Sequence, residues 1–183
     1  IKAIEEDVRK NGLYDVVISE AVLNSTISKK MELYVIATCN SLMKDDGVFY
    51  VSSRRLDRIL QMASTNENSK TAIDNSKRVF ELDEHGMYLS YRKGMYTSQK
   101  YHDSEKLKET LLQFFEEVEQ RKPKDTSASG LFFECKKPRK LDEDYLREAL
   151  SEEFNFEYPN GYKHNQHSGL VEALLEENKK RQD

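Results

Sequence analysis

Four polar side chains crowd the end of the first apolar run of this chain: Ser19, Glu20, Asn24 and Ser25, within YDVVISEAVLNS. Tyr14 to Ser19 reads as a strand, and a core strand ordinarily leaves through a plain turn. A strand whose carboxyl end carries hydroxyl, amide and carboxylate groups is what an open α/β sheet presents to a ligand. Arg54-Arg55 directly follow the next apolar run and have the chemistry to contact a phosphate or an acidic acceptor. Their bland alternative is the charged first turn of a surface helix. Further on, Tyr88, Tyr91, Arg92, Lys93, Tyr96, Lys100 and Tyr101 interleave rings with cations. That composition suits stacking and phosphate contact, and it is equally ordinary in strands. His164 and His167 are spaced to share a metal, but no cysteine or carboxylate is arranged around them. A solvated turn, and no metal site, is the expectation.

The elements that must position these groups follow from periodicity. Ile1, Ile4 and Val8 give a helix from Ile1 to Lys10, stopped by Asn11-Gly12. The unbroken Val16-Val17-Ile18 run predicts burial on both faces, as in a central parallel strand. Ser28 to Lys44 carries apolar residues at helical spacing, Asp46-Gly47 ends that helix, and Val48 to Ser52 makes a second strand. Strand, helix, Gly turn and strand form a βαβ unit, with parallel strands and a right-handed crossover. A helix over Arg54 to Ala63 and a polar loop from Ser64 to Lys77 come next. Arg78–Leu82, Met87–Arg92 and Met95–Tyr101, separated by Gly-containing turns, read as a β-meander. Asp103 or Ser104 caps a helix predicted to reach about Gln120, and a loop from Arg121 to Ser129 leads to a strand at Leu131–Lys136. Helices over Asp142–Phe154 and Ser168–Lys180 complete the chain.

Composition sets limits on function. The 183 residues suit one domain, or a domain with a small appendage, and 34% charged against 37% hydrophobic residues suits a soluble, helix-rich protein. A formal net charge of −4 argues against a uniformly basic nucleic-acid binder, though a local patch is compatible with it. No apolar run approaches the ~20 residues of a membrane helix, so no membrane partner is expected. Cys39 and Cys135 fall inside a helical and a strand pattern, which favours buried free thiols in a reducing, cytoplasmic setting. The chain begins at Ile1 rather than Met, almost inside an element, and is read as a piece of a longer protein.

With the βαβ unit and its polar strand end in place, a resemblance emerges. Tyr14-Asp15-Val16-Val17-Ile18, the polar Ser19 to Ser25, and LMKDDGVFYV from Leu42 to Val51 resemble the middle of a class I S-adenosylmethionine-dependent methyltransferase, its fourth and fifth strands. Asp45-Asp46-Gly47 stands where the family has Pro-Gly-Gly, and the likeness covers about residues 13–52. VLNS with CNSLMKDDGVFYVSSRR, and the tail LREALSEEFNFEYPNGYKHNQH, also resemble the methyltransferase segment fused to ParB-type nuclease domains in plasmid and phage proteins. The seven glycines form no G-x-G-x-x-G, so the family's cofactor-cradling loop has no counterpart in this sequence. Only one wall of the cofactor crevice is then expected.

The resemblance implies a fold and a chemistry. The fold is α/β: a partial Rossmann-like methyltransferase sheet, a βαβ unit plus later strands, with an added β-meander and C-terminal helices. Residues 1–136 would be the carboxyl-terminal part of the methyltransferase-like domain, with the meander inserted at about 78–101, and 137–183 a helical extension. Methyl transfer is an in-line displacement at a sulfonium carbon, so the protein chiefly aligns nucleophile, methyl and leaving sulfur. Ser19 and Glu20 are placed to touch S-adenosylmethionine, and Glu20 and Asn24 are the catalytic candidates, Glu20 as general base. Ser25, Arg54 and Arg55 are the acceptor-binding candidates. Helix capping is the bland reading for the serines, and a solvated loop carboxylate for Glu20. Amino-methylating DNA enzymes carry Asp- or Asn-Pro-Pro-Tyr at this strand end, whereas this chain reads Ser-Glu-Ala-Val. Cytosine-C5 enzymes need a Pro-Cys nucleophile, and Cys39 lies mid-helix. Nucleic acid stays open as acceptor only with a differently built clamp. The competing reading is a non-catalytic nucleic-acid or protein interaction module on the same scaffold. If the preceding strands are absent, Tyr14 to Ser19 becomes a bare edge and a homodimer through it is expected.

Overall fold

The computed structural model describes residues 1–26, 28–57, 79–81, 87–92, 95–122, 130–155, 157, 160–163 and 168–181. Helix α1 (Lys2–Asn11) leads into strand β1 (Tyr14–Glu20), followed by a short 3-10 turn at Leu23–Ser25. Ser28 caps helix α2 (Lys29–Ser41), its hydroxyl accepting from the Met31 amide at 3.2 Å. Strand β2 (Met43–Arg54) runs parallel to β1, as the βαβ pattern requires. A meander of β3 (Val79–Glu81), β4 (Met87–Arg92) and β5 (Met95–Lys100) forms its own three-stranded antiparallel sheet. Helix α3 (Ser104–Leu111), strands β6 (Phe115–Gln120) and β7 (Gly130–Pro138), and helices α4 (Glu143–Phe154) and α5 (Ser168–Lys180) follow.

The main sheet has the order β1-β2-β7-β6, with β7 antiparallel to both of its neighbours. A parallel pair extended by a reversed strand is a mixed α/β arrangement. It meets the expectation of a partial Rossmann-like sheet carrying a meander and C-terminal helices. One face is closed: Phe49 and Val51 of β2 with Phe133 and Cys135 of β7 join a core with Ile36 and Ala37 of α2, Leu146 and Leu150 of α4, and Leu170 and Leu174 of α5. Phe49 and Phe115 stack there at 5.4 Å. Cys39 and Cys135 are free and buried, and burial pushes both thiols up to about 12, so neither has reactive thiolate character.

Four expectations need correction. The Val16-Val17-Ile18 run is not buried on both faces: it lies on an edge strand, as expected if the preceding strands are absent, with Val16 51% and Ile18 69% exposed. The helix over 28–44 ends at Ser41, and Asp45-Asp46-Gly47 sits inside β2 rather than between elements. There it forms a bulge, because Tyr14 pairs with Met43 while Val16 pairs with Val48. The helix capped by Asp103 stops at Leu111, and 115–120 pairs with β7 as a strand. FEEVEQ has helical propensity, but strand pairing and the burial of Phe115 outweigh it. Arg54 closes β2 instead of opening a helix, and Arg55 bridges to His102. Most of the helix expected to Ala63, the 64–77 loop, the meander turns and His164 with His167 lie outside the described residues.

Candidate functional site

Ser19 and Glu20 end β1 beside Val51 and Ser52 of β2. The next residue, Ala21, has a φ of 56°, a left-handed conformation that L-residues adopt at a cost. Its amide is held by the Ser52 carbonyl at 3.2 Å and the Ser52 hydroxyl at 3.0 Å. The turn therefore breaks the strand sharply and leaves Glu20 exposed at its tip. A cleft of about 380 Å³ opens here, walled by Ile18, Tyr50 and Phe132 and bounded by Ser19, Glu20 and Ser52. Ser19 is 4% exposed, and its hydroxyl has no hydrogen-bond partner among the described residues. A buried hydroxyl without a partner is costly unless something else satisfies it.

Arg121 and Lys122 stand at the far rim of the cleft. Arg121 grips Glu134 with both Nε and Nη2, at 3.2 and 2.9 Å, and reaches Glu119 with Nη1 at 3.1 Å. The Lys136 hydrogen bond, helped by that of Arg121, holds the Glu134 carboxyl below its usual range despite its burial. Arg121 is thus an already compensated charge.

Of the candidates marked in the sequence, the structure brings Ser19 and Glu20 together at this cleft and places the others elsewhere. Asn24 is buried, its amide donating to the Lys100 carbonyl at 2.6 Å and to Ser53 Oγ at 3.4 Å. The Ser25 hydroxyl donates to the Val22 carbonyl at 2.7 Å, closing its own turn. Arg54 donates to Gln99 at 2.5 Å, and Arg55 makes a paired contact with Asp57. Lys100, among the cations expected on a meander surface, is 3% exposed and paired inward.

A buried polar cluster that the sequence reading did not single out lies behind Asn24. Glu32, 1% exposed in the first turn of α2, meets Lys100 Nζ at 2.5 Å, Lys29 Nζ at 2.6 Å and His102 Nε2 at 2.8 Å. The other ring nitrogen of His102 hydrogen-bonds the Ser53 hydroxyl. With Nε2–H donating to Glu32, Nδ1 is left to accept from Ser53, which in turn accepts from Asn24; this tautomer follows from the network. Burial alone would raise the Glu32 carboxyl, but the His102 hydrogen bond, with the Lys100 and Lys29 ammoniums, outweighs it and holds the carboxyl far below its ordinary range. Serine, histidine and carboxylate in sequence suggest nucleophilic chemistry. Ser53 is only 3% exposed, however, so a substrate has no access to its oxygen. What the cluster does is tie β5, the 3-10 turn and α2 to the carboxyl end of β2. The one signal for it was a glutamate within the largely apolar helical run from Met31 to Ala37.

No protein-family model and no curated protein matches the sequence. Among solved structures the chain is similar to PH0226 protein from Pyrococcus horikoshii OT3, at 13% identity and a TM-score of 0.47, over 68% of this chain and 51% of that one. It is also similar to an S-adenosylmethionine-dependent methyltransferase from Clostridium acetobutylicum ATCC 824, at 11% identity and a TM-score of 0.39, over 69% of this chain and 59% of that one. The chain covers 51% and 59% of the length of these two structures. Likeness at this level leaves activity, substrate and partners untouched. No helix among the described residues is long and apolar enough to cross a membrane.

Proposed function

We propose that this chain forms one wall of an S-adenosylmethionine-dependent methyltransferase site, with β1 and β2 presenting Ser19 and Glu20 to cofactor and acceptor. The observation that carries the reading is the strand end itself. A parallel βαβ pair stops on a strained residue, beside an open cleft and a buried hydroxyl that has no partner among the described residues. Such a strand end is where doubly wound sheets take their ligands. The residues suit one side of the cofactor: Glu20 offers a carboxylate, Tyr50 with Phe132 an apolar wall, and Ser19, buried at 4% exposure, borders the cleft. The cofactor, when bound, supplies an electrophilic methyl group on a sulfonium. Glu20, exposed at the tip of the strand, would take a proton from an acceptor nitrogen or hydroxyl in this reading. Nucleic acid remains a proposed acceptor, and the narrower likeness to ParB-fused segments rests on its sequence matches alone.

Because one wall is in hand, affinity for the free cofactor is expected to be weak, about millimolar, worth about 4 kcal/mol. Amide chemical shifts on titration with S-adenosylhomocysteine read binding in that range. Shifts concentrated at Ser19 to Ala21 and Ser52 are expected, and Ser19→Ala should reduce them. Shifts elsewhere, or none, would sink the reading. The second reading, an interaction module without catalysis, is favoured by the open apolar face beside the same strand, and it expects no response to the cofactor.

A further inference from the structure

Among the described residues, strand β1 is hydrogen-bonded on one side only. The Ala21 amide bonds the Ser52 carbonyl while Glu20 is the register partner of Ser52. In a parallel ladder this alternation turns Val17, Ser19 and Ala21 toward β2 and leaves the N–H and C=O groups of Val16, Ile18 and Glu20 facing outward. The side chains above that edge are also uncovered. Val16 is 51%, Ile18 69% and Tyr50 41% exposed, and Ile18 lies directly beside Tyr50 on the open face of the sheet. An edge with both unpaired backbone and bare apolar side chains is a template for another strand.

We infer that this edge pairs with the same edge of a second copy of the chain, antiparallel about a two-fold axis at Ile18. The position of the axis follows from the strand's regular length. Register is broken between Tyr14 and Val16, and Ala21 turns the chain away, so the regular segment is Val16 to Glu20 with Ile18 at its centre. On that axis Val16 faces the partner's Glu20, Val17 faces the partner's Ser19, and the two Ile18 side chains meet between the two Tyr50 rings. No carboxylate faces another: Asp15, already bonded to Lys44 at 2.8 Å, lies opposite the partner's Ala21. The segment is therefore complementary to itself, which is what a two-fold contact requires. About six backbone hydrogen bonds form along an edge that has none among the described residues. A five-residue strand is only about 17 Å long, and the contact falls below the roughly 800 Å² per partner of a standard interface, so the dimer is weak and dissociates on dilution. The inference does not rest on the methyl-transfer reading.

Ile18→Cys provides the test, because both native thiols are buried. Across an antiparallel pair, residues on the axis sit about 5.5 Å apart, within disulfide reach. Mild oxidation should cross-link Ile18→Cys into a covalent dimer and leave Val16→Cys and Val17→Cys as single chains. Ile18→Lys, at a solvent-exposed position, should keep native circular dichroism while abolishing the concentration-dependent rise in light-scattering mass seen for the unsubstituted chain. A single-chain mass at every concentration, cross-linking at Val17 instead of Ile18, or equal cross-linking at all three positions would overturn the inference.

Discussion

Glu32 anchors the buried polar cluster. It is a buried carboxylate whose three partners come from residues 29, 100 and 102, and two of those partners belong to the segment leaving the meander. Replacing it by Gln leaves the Lys100 ammonium without a counter-charge at 3% exposure. Breaking one side of a buried pair costs about 3–5 kcal/mol, so urea unfolding at neutral pH should show a loss of that size. The pH dependence has a definite sign. The carboxyl is depressed below its ordinary 4.5, so its stabilisation is present above that pH and drains away as pH falls through the lower folded value. Between pH 5 and pH 3 the native chain should therefore lose more stability than Glu32→Gln. Parallel pH profiles for the two would return Glu32 to an unimportant role. Sequence alone could point to Ser19 and Glu20, because they terminate an apolar run. It could not pair Glu32 with His102, seventy positions away.

The parallel βαβ unit, the three meander strands, and helices α4 and α5 were legible because each has one clear period between turn signals. β6 was not, since FEEVEQ has a charged, helix-compatible composition and becomes a strand only through β7. The Asp45-Asp46-Gly47 turn was legible as a break but not as a bulge, for a bulge is defined by the partner strand. Gly47 shows why that bulge tolerates no side chain. A Cβ there would lie 2.8 Å from Met43 Cγ, 3.0 Å from the Lys44 carbonyl and 3.1 Å from the Asp15 carbonyl. Two of these neighbours are backbone and cannot move aside cheaply. Gly47→Ala is expected to cost about 1–3 kcal/mol, as overpacked positions do. Gly12→Ala is the contrasting probe: a Cβ there meets nothing within 4 Å, and its cost comes from a φ of 80° alone. An unfolding midpoint for Gly47→Ala equal to that of the native chain would mean the bulge relaxes freely.

At the scale of the whole molecule, one residue near the carboxyl end draws four parts of the chain together. Arg181, 5% exposed just beyond α5, donates to Asn40 Oδ1 at 2.7 Å, to the Asn40 carbonyl at 2.9 Å and to the Met43 carbonyl, and pairs with Asp45 at 3.2 Å. Asn40 in turn donates to the Phe114 carbonyl at 2.7 Å and the Arg139 carbonyl at 3.2 Å. The guanidinium thereby satisfies carbonyls left over at the end of α2, where the helix dipole favours a cation. Through Asn40 it also fixes the α3–β6 and β7–α4 connections. Arg181→Met keeps much of the apolar stem but removes the donors, leaving several buried carbonyls unsatisfied at about 1–3 kcal/mol each. A loss of at least about 3 kcal/mol is expected, with circular dichroism and tyrosine absorbance still following one common transition because the node belongs to a single cooperative unit. Lys180→Met is the control. Lys180 is exposed and pairs with Glu177 at 2.5 Å, a surface contact worth about 1 kcal/mol or less. Equal midpoints for the two variants would show that α5 rests on the fold without holding it, and separate transitions would show that it unfolds by itself.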